Sequence, residues 1–208
     1  MEIIKDVLKK YKIEKDEKII FFSGRIHELK GAIHLAKVHA KLISQGFKVT
    51  TLLAGERIHA RECQEIAPNK LHILGYLQKH EIADLYRICD LFVFPSQFEI
   101  GPNVVIEAKA CGAVCVVSPN GGGKRIYSPG NDGIIVKNMS TKLWADVINK
   151  LLSDPVEIKR IKSFIKNQKI KSWKEIYCDE LMPHWKKIVT LKNEKDIIIN
   201  TSSLVTFG

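Results

Sequence analysis

Six short apolar runs, rich in β-branched residues, recur along the chain at 18–24, 48–55, 70–76, 90–96, 113–119 and 132–138. A strand with one wet face alternates apolar and polar residues, whereas these runs are apolar almost throughout. They therefore suit strands covered on both faces. The intervals between them carry a helical period. Ala32, Leu35, Ala36, His39 and Ile43 share one stripe, and Ile82, Leu85, Tyr86 and Cys89 share another. Strand, helix and strand at intervals of about 20–30 residues are the mark of right-handed βαβ units and an open parallel sheet. The expected fold class is α/β, a Rossmann-like doubly wound parallel sheet of about six strands with extra C-terminal helices.

After Val136 the strand runs stop. "STKLWADVINKLLSDP" reads as a helix capped by Ser140 or Thr141 and ended before Pro155. Helical stretches follow at about 155–168 and 172–192, the second with a kink or break expected at Pro183. The expected organisation is an N-terminal linker helix over 1–17, the α/β domain over 18–154, C-terminal helices over 155–192 and a tail over 193–208 that is either disordered or paired with a partner.

Charge narrows the partners. With 33 Lys+Arg against 23 Asp+Glu the net charge is +10, which favours nucleotide phosphates, nucleic acid or an acidic membrane surface. Nucleic acid needs cations clustered with aromatics on one face, but the lysines crowd into 155–187 within amphipathic helices, as on a membrane or partner surface. The five cysteines, at 63, 89, 111, 115 and 178, have no matching Cys or His pair at zinc spacing and read as reduced structural thiols. The seven histidines are scattered and read as surface or local structural groups. "MEIIKDVLKK" is no secretory signal and no apolar run nears 18 residues, so a cytoplasmic protein, peripheral to a membrane at most, is expected.

In parallel α/β sheets ligands bind beyond the carboxyl ends of the strands. The first strand is followed by "SGRIHELKG", with Arg25 and Lys30. The fourth is followed by "SQFEIGPN", with Glu99 and the backbone of Gly101 and Asn103. The fifth leads into "SPNGGGKR". Singly, the cations read as solvated, the glycines as a flexible turn and Glu107 as a helix-surface residue. Glu107 lies in so apolar a helix, however, that a partner for it is expected. Together, two cations, a carboxylate and exposed amides suit an anionic ligand that carries hydroxyls, such as a nucleotide-diphosphate sugar.

The ordered blocks "FFSGRIHELKG", "LGYLQKHEIADLYRICDLFVFPS", "FEIGPNVVIEAKACGAVCVVS", "NGGGKRIYSPGNDGIIV" and "SWKEIYCDELMPHW" resemble the donor-binding C-terminal domain of the family 4 (group 1) retaining glycosyltransferases, which have the GT-B fold. The blocks agree in order and spacing over roughly two thirds of the chain, and they include a pair of glutamates, Glu99 and Glu107, with seven residues between them. It implies retaining glycosyl transfer from a nucleotide-diphosphate sugar, with no metal or other cofactor. Glu99, Arg25 and Lys30 would be catalytic: Glu99 on the transferred sugar, the two cations on the diphosphate. Glu107 would hold the ribose hydroxyls, and Gly24, Tyr76, Gly101, Pro102, Asn103, Gly121 and Gly122 would contact the donor. Two departures stand out. Ile100 follows the first glutamate where glycine is common, and Arg125 takes the place of a usual glutamate, so that Lys124 and Arg125 add positive charge for a more anionic donor or a membrane surface. The family's enzymes also have an acceptor-binding domain, for which 208 residues leave no room. That domain is expected from a separate chain, a homo-oligomer or a removed segment. A non-catalytic nucleotide-sugar binding or regulatory module is the alternative.

Overall fold

The computed structural model describes residues 8–168 and 170–193. The chain divides into two compact units, Met1–Gln168 and Lys169–Gly208.

The first unit holds β1 (Lys18–Ser23), α1 (Ala32–Ser44), β2 (Val49–Ala54), α2 (Ala60–Ile66), β3 (Leu71–Gly75), α3 (Lys79–Ile88), β4 (Leu91–Phe94), α4 (Asn103–Ala110), β5 (Val114–Val117), β6 (Ile134–Ile135), α5 (Thr141–Leu152) and α6 (Pro155–Asn167). The six strands form one sheet in the order β3-β2-β1-β4-β5-β6, and every paired strand runs parallel. All six expected strands are present, each within its apolar run. The chain winds outward from β1 to β3, then crosses back to lay β4 on the other side of β1. The carboxyl ends of β1 and β4 therefore diverge at the switch point of the sheet, where such folds open a crevice.

Burial explains the continuous apolar runs: β2, β4 and β5 are buried at every position. Aromatic rings fill the space beside β1 and β4, with Tyr86 edge-on to Phe21 and Phe92 at 5.2 and 5.1 Å between centroids. Helix α1 packs against α2 and α5, α3 against α4, and α4 against α6. Trp144 of α5, fully buried, donates its indole N–H to the Asn138 carbonyl at 2.8 Å. Ser140 caps α5 by accepting from the Leu143 amide. Asp154 and Pro155 start α6 with a side-chain cap and an N1 proline, so the proline expected to end one helix also begins the next.

Three expectations change. The domain boundary falls after Gln168 and not after 154, because Ile158, Ile161 and Ile165 of α6 are part of the same core. Of the linker helix over 1–17, only residues 8–10 are helical among the described residues. In the second unit, Pro183 does not break the helix. The π-helical stretch Ile176–Leu181 precedes α8 (Met182–Asn193), and the wider turn relieves the ring's clash with the carbonyl four residues back. This unit starts at the short helix α7 (Trp173–Glu175) with a capping box between Ser172 and Glu175. The tail from 194 lies outside the described residues. Among the described residues no helix is long and apolar enough to cross a membrane.

The buried histidines and thiols give the fold a defined pH range. His39 is fully buried, with Nδ1 2.8 Å from the Thr51 hydroxyl and Nε2 2.8 Å from the Asn69 carbonyl. Burial holds its pKa below the ordinary 6.5, and likewise lowers His72 and brings His34 down to about 4. A depressed folded pKa supplies stability above the unfolded value that is lost as pH falls through the folded one. For Cys63 and Cys89, burial raises the thiols from 9.0 to about 11 and about 12, so their contribution is lost as pH rises above 9. Urea midpoints measured from pH 4 to 11 are expected to peak between about 7 and 8.5 and to fall first on the acid side, below about 6.5. A midpoint that holds steady from pH 7 down to 4 would contradict the burial of these rings.

Candidate functional site

The cleft at the switch point is built by the loops that leave β1 and β4. Ser23, Gly24 and Lys30 line it from the first, and Phe94, Glu99, Gly101, Pro102, Asn103 and Val104 from the second, around a volume of about 170 Å³. Gly24, with φ +147°, turns the chain out of β1 beside the rings of Phe22 and Phe94. Lys30 ends a 3-10 turn, Glu28–Lys30, started by His27, whose Nδ1 accepts from the Leu29 amide at 3.1 Å.

Lys30 and Glu99 meet here, although 69 residues separate them: Nζ lies 2.6 Å from Oε1, with both side chains largely shielded. A second support was not legible in the sequence. The Ser96 hydroxyl lies 3.0 Å from Glu99 Oε1 and 3.1 Å from the Leu29 carbonyl, so it links the two loops. The Gln97 amide donates to the Leu29 carbonyl at 2.9 Å and the Glu99 amide to the Asn120 carbonyl at 3.1 Å. Glu99 Oε2 makes no hydrogen bond among the described residues. The carboxylate thus keeps acceptor capacity toward the cleft, and the ammonium keeps two donors.

Helix α4 opens onto the same space. Its N-cap is Pro102 and no side chain caps it, so the amides of its first turn and the positive end of its dipole are left for an anion. Glu107 is one turn further along, on the same face as Asn103. It is exposed and makes no hydrogen bond or ion pair among the described residues. The expectation of a partner fails because Glu107 lies on the wet side of α4, whose buried side is carried by Val105, Ala108 and Lys109. Arg25, next to Gly24, is also exposed, and its side chain makes no hydrogen bond or ion pair among the described residues. The guanidinium of Arg125 lies close above Gly101, about 3.1 Å from where a side chain there would begin.

Arg25 and Glu107 are not among the residues that line the cleft, and three further expected residues also lie outside it. Tyr76 is exposed just beyond the end of β3, the edge strand, with β2 and β1 between it and β4. Gly121 and Gly122 are buried and their amides are used internally, donating to the Ser118 hydroxyl at 2.9 Å and the Ser118 carbonyl at 3.0 Å. The glycine loop is not an open cradle. A Cβ on Gly121 would lie 2.3 Å from the Ser96 carbonyl oxygen, and one on Gly122 would lie 2.9 Å from the Val117 side chain. These glycines let the loop close onto the strand ends and carry Arg125 toward Gly101. The loop's return is fixed by Lys109 and Asp132, a fully buried pair 2.7 Å apart. Among the described residues no group of three or more His, Cys, Asp or Glu side chains is arranged to hold a metal ion.

Comparison with known proteins gives the chain's relatives. Residues 4–171 match the family described as glycosyl transferases group 1. The D-inositol 3-phosphate glycosyltransferase of Arthrobacter sp. (strain FB24) is 32% identical over 145 residues, which are 65% of this chain and 34% of that protein. A glycosyltransferase of Methanocaldococcus jannaschii, MJ1607, is 30% identical over 148 residues, 68% of this chain and 37% of its own length. Among solved structures, Anabaena Alr3699/HepE in complex with UDP and glucose superposes with a TM-score of 0.69 at 22% identity, covering 79% of this chain and 46% of that one. The C-terminal domain of the group 1 glycosyl transferase LpcC from Francisella tularensis gives 0.66 at 20% identity and covers 80% and 93%. The chain thus spans about a third of the length of these curated relatives, and its fold is one half of a GT-B enzyme.

Proposed function

The chain belongs to the group 1 glycosyltransferase family, and on that premise we propose that its switch-point cleft binds a nucleotide-diphosphate sugar as glycosyl donor. The observation that carries this reading is the convergence of Lys30 and Glu99 beside the uncapped start of α4. Lys30, Arg25 and the α4 amides take the diphosphate, Glu99 accepts hydroxyls of the sugar, and Glu107 accepts those of the ribose. As the bond from the sugar's anomeric carbon to phosphate oxygen breaks, negative charge grows on the diphosphate. Each preorganised donor there is worth about 3–4 kcal/mol in the transition state. The acceptor oxygen bonds to the anomeric carbon on the same face, and its proton passes to the departing phosphate oxygen, so configuration is retained. In this reading the two cations do the work for which other enzymes use a divalent metal.

The acceptor is held by a second domain or subunit. Transfer by this chain alone is therefore expected to be slow or absent, because placing the acceptor supplies much of the rate. A radiolabelled-donor assay with soluble acceptors checks this, and robust turnover by a monomer would overturn it. A non-catalytic nucleotide-sugar module is the second reading. Thermal-shift screening against a panel of nucleotide sugars, with and without EDTA, tests the reading common to both. Stabilisation by one donor class that survives chelation is expected, whereas no stabilisation by any, or its loss on chelation, contradicts the proposal.

Glu107→Gln is expected to weaken affinity for the selected nucleoside diphosphate by about 1–3 kcal/mol, since charge-assisted bonds to the ribose become neutral ones. The 2′-deoxy nucleotide should bind the parent more weakly and respond less to the substitution. Equal ribonucleotide affinity of parent and variant, measured by calorimetry, would remove Glu107 from the site.

A further inference from the structure

At the opposite end of the strands the first unit has a second hollow, of about 270 Å³, lined by Lys18, Asp90, Pro155, Ile158, Lys159, Lys162, Ser163 and Lys166. Lys18 opens β1 and Asp90 immediately precedes β4, so the hollow faces the amino ends of the two strands whose carboxyl ends form the cleft. The length of β1 puts roughly 20 Å between the two. Six of the lining residues lie on one face of α6, at the spacing that aligns successive helical turns.

Its chemistry is one-sided. Four ammonium groups meet one carboxylate. Asp90 is largely spent, accepting from the Ile19 amide at 2.8 Å through one oxygen and standing 3.6 Å from Lys18 through the other. Lys162 is half-buried and held at the floor by a bond to the Cys89 carbonyl at 3.3 Å. Lys159 and Lys166 make no ion pair or hydrogen bond among the described residues. Arg160 of the same helix, by contrast, is fully engaged with Glu157, Asn131 and the Gly130 carbonyl. Three lysines on one helical face repel one another, and here they surround a concavity in place of open solvent. The walls are largely apolar, from Pro155, Ile158 and the lysine stems, and the charged groups they carry are four ammoniums and one engaged carboxylate, an excess of donors that matches a ligand rich in acceptors. The volume suits a phosphate or diphosphate group, not a whole nucleotide sugar.

We propose that this hollow is an anion site for a phosphate-bearing ligand, built from Lys18, Lys159, Lys162 and Lys166 and separate from the cleft at the other end of the sheet. The inference does not depend on the donor reading. The ammonium groups act as point charges without the bidentate geometry of arginine, so the site selects charge density above shape. The phosphate comes either from a free ion or from a lipid headgroup.

Calorimetric titration with inorganic pyrophosphate tests the site in a parent chain that carries K30A, which weakens the cleft's own hold on a diphosphate, and vesicles of phosphatidylcholine with phosphatidylglycerol identify the source. Lys159 and Lys166 are both exposed, so K159A/K166A is expected to fold normally, and K41A/K142A removes the same charge from exposed positions elsewhere. Saturable binding to the parent, weakened at least tenfold in K159A/K166A and by less than twofold in K41A/K142A, supports the site. Vesicle association displaced by pyrophosphate then assigns it to a headgroup, and no association assigns it to a free ion. The proposal is overturned by no saturable pyrophosphate binding to the parent, or by equal losses in both variants. Binding unchanged in K159A/K166A overturns it too, since the anion then enters elsewhere.

Discussion

Replacing Lys109 with methionine is expected to destabilise the first unit by about 3–5 kcal/mol, the cost of stranding one member of a buried ion pair. The Lys109 and Asp132 side chains are 3% and 0% exposed and 2.7 Å apart, so the change leaves Asp132 with no counter-charge and no water. Part of the aspartate's need is met by the amides of Tyr127 and Ser128, at 3.0 and 2.9 Å, which sets the loss below that of a bare charge. Burial alone would raise the Asp132 carboxyl. The bonds from Lys109 and from the two amides outweigh it and hold the pKa below the ordinary 3.8. In K109M that balance reverses, and Asp132 protonates at higher pH than in the parent. The double variant K109M/D132N is expected to recover much of the loss, because no buried charge then remains. Urea unfolding of the three proteins checks this. A loss below about 1 kcal/mol in K109M would mean that the pair is hydrated.

The second large effect is at Gly31. Its φ of +81° is a left-handed conformation, and a Cβ there would lie 2.1 Å from the Pro95 carbonyl oxygen. Strain of about 1–3 kcal/mol from the backbone adds to about 1–3 kcal/mol from overpacking, so Gly31→Ala is expected to cost about 4 kcal/mol in stability. The consequence reaches the cleft, because Gly31 joins Lys30 to α1 and packs against Pro95 of the loop that carries Glu99. Pushing them apart also separates Lys30 from Glu99. Gly46 is the matched control: its φ is +80°, but nothing lies within 4 Å of its Cβ position. Gly46→Ala should therefore cost only the backbone term. Equal losses at the two positions would show that the contact with Pro95 carries no weight.

The sheet was legible because strands buried on both faces leave a continuous apolar run. Lys30, Glu99 and Gly101 were legible because a parallel sheet brings its carboxyl ends together whatever the loops contain. The supports of the site were not. Ser96 and Ser118 look like any serine after a strand until the fold sets the Ser118 hydroxyl against the Ser96 carbonyl. Lys109 and Asp132 are 23 residues apart, and only the packing of α4 against the loop before β6 removes both from water. Gly121 and Gly122 read by type as a flexible turn, and the resemblance alone implied that they contact the donor. A tight turn and close packing ask for the same residue, and here the packing use prevails. Glu107 was expected to find a partner from the mean apolarity of its helix, but which face is wet depends on the sheet beneath, and it lies on the wet one.

The most direct test of the central claim is a map of backbone amide shifts in the 208-residue chain on adding the nucleotide-diphosphate sugar selected by thermal shift. The account predicts saturable shifts at Gly24, Lys30, Glu99, Gly101, Asn103 and Val104, with Lys18, Asp90 and Lys162 at the other end of the strands unmoved. Shifts confined to the amino ends of the strands, or none at the ends of β1 and β4, would contradict it.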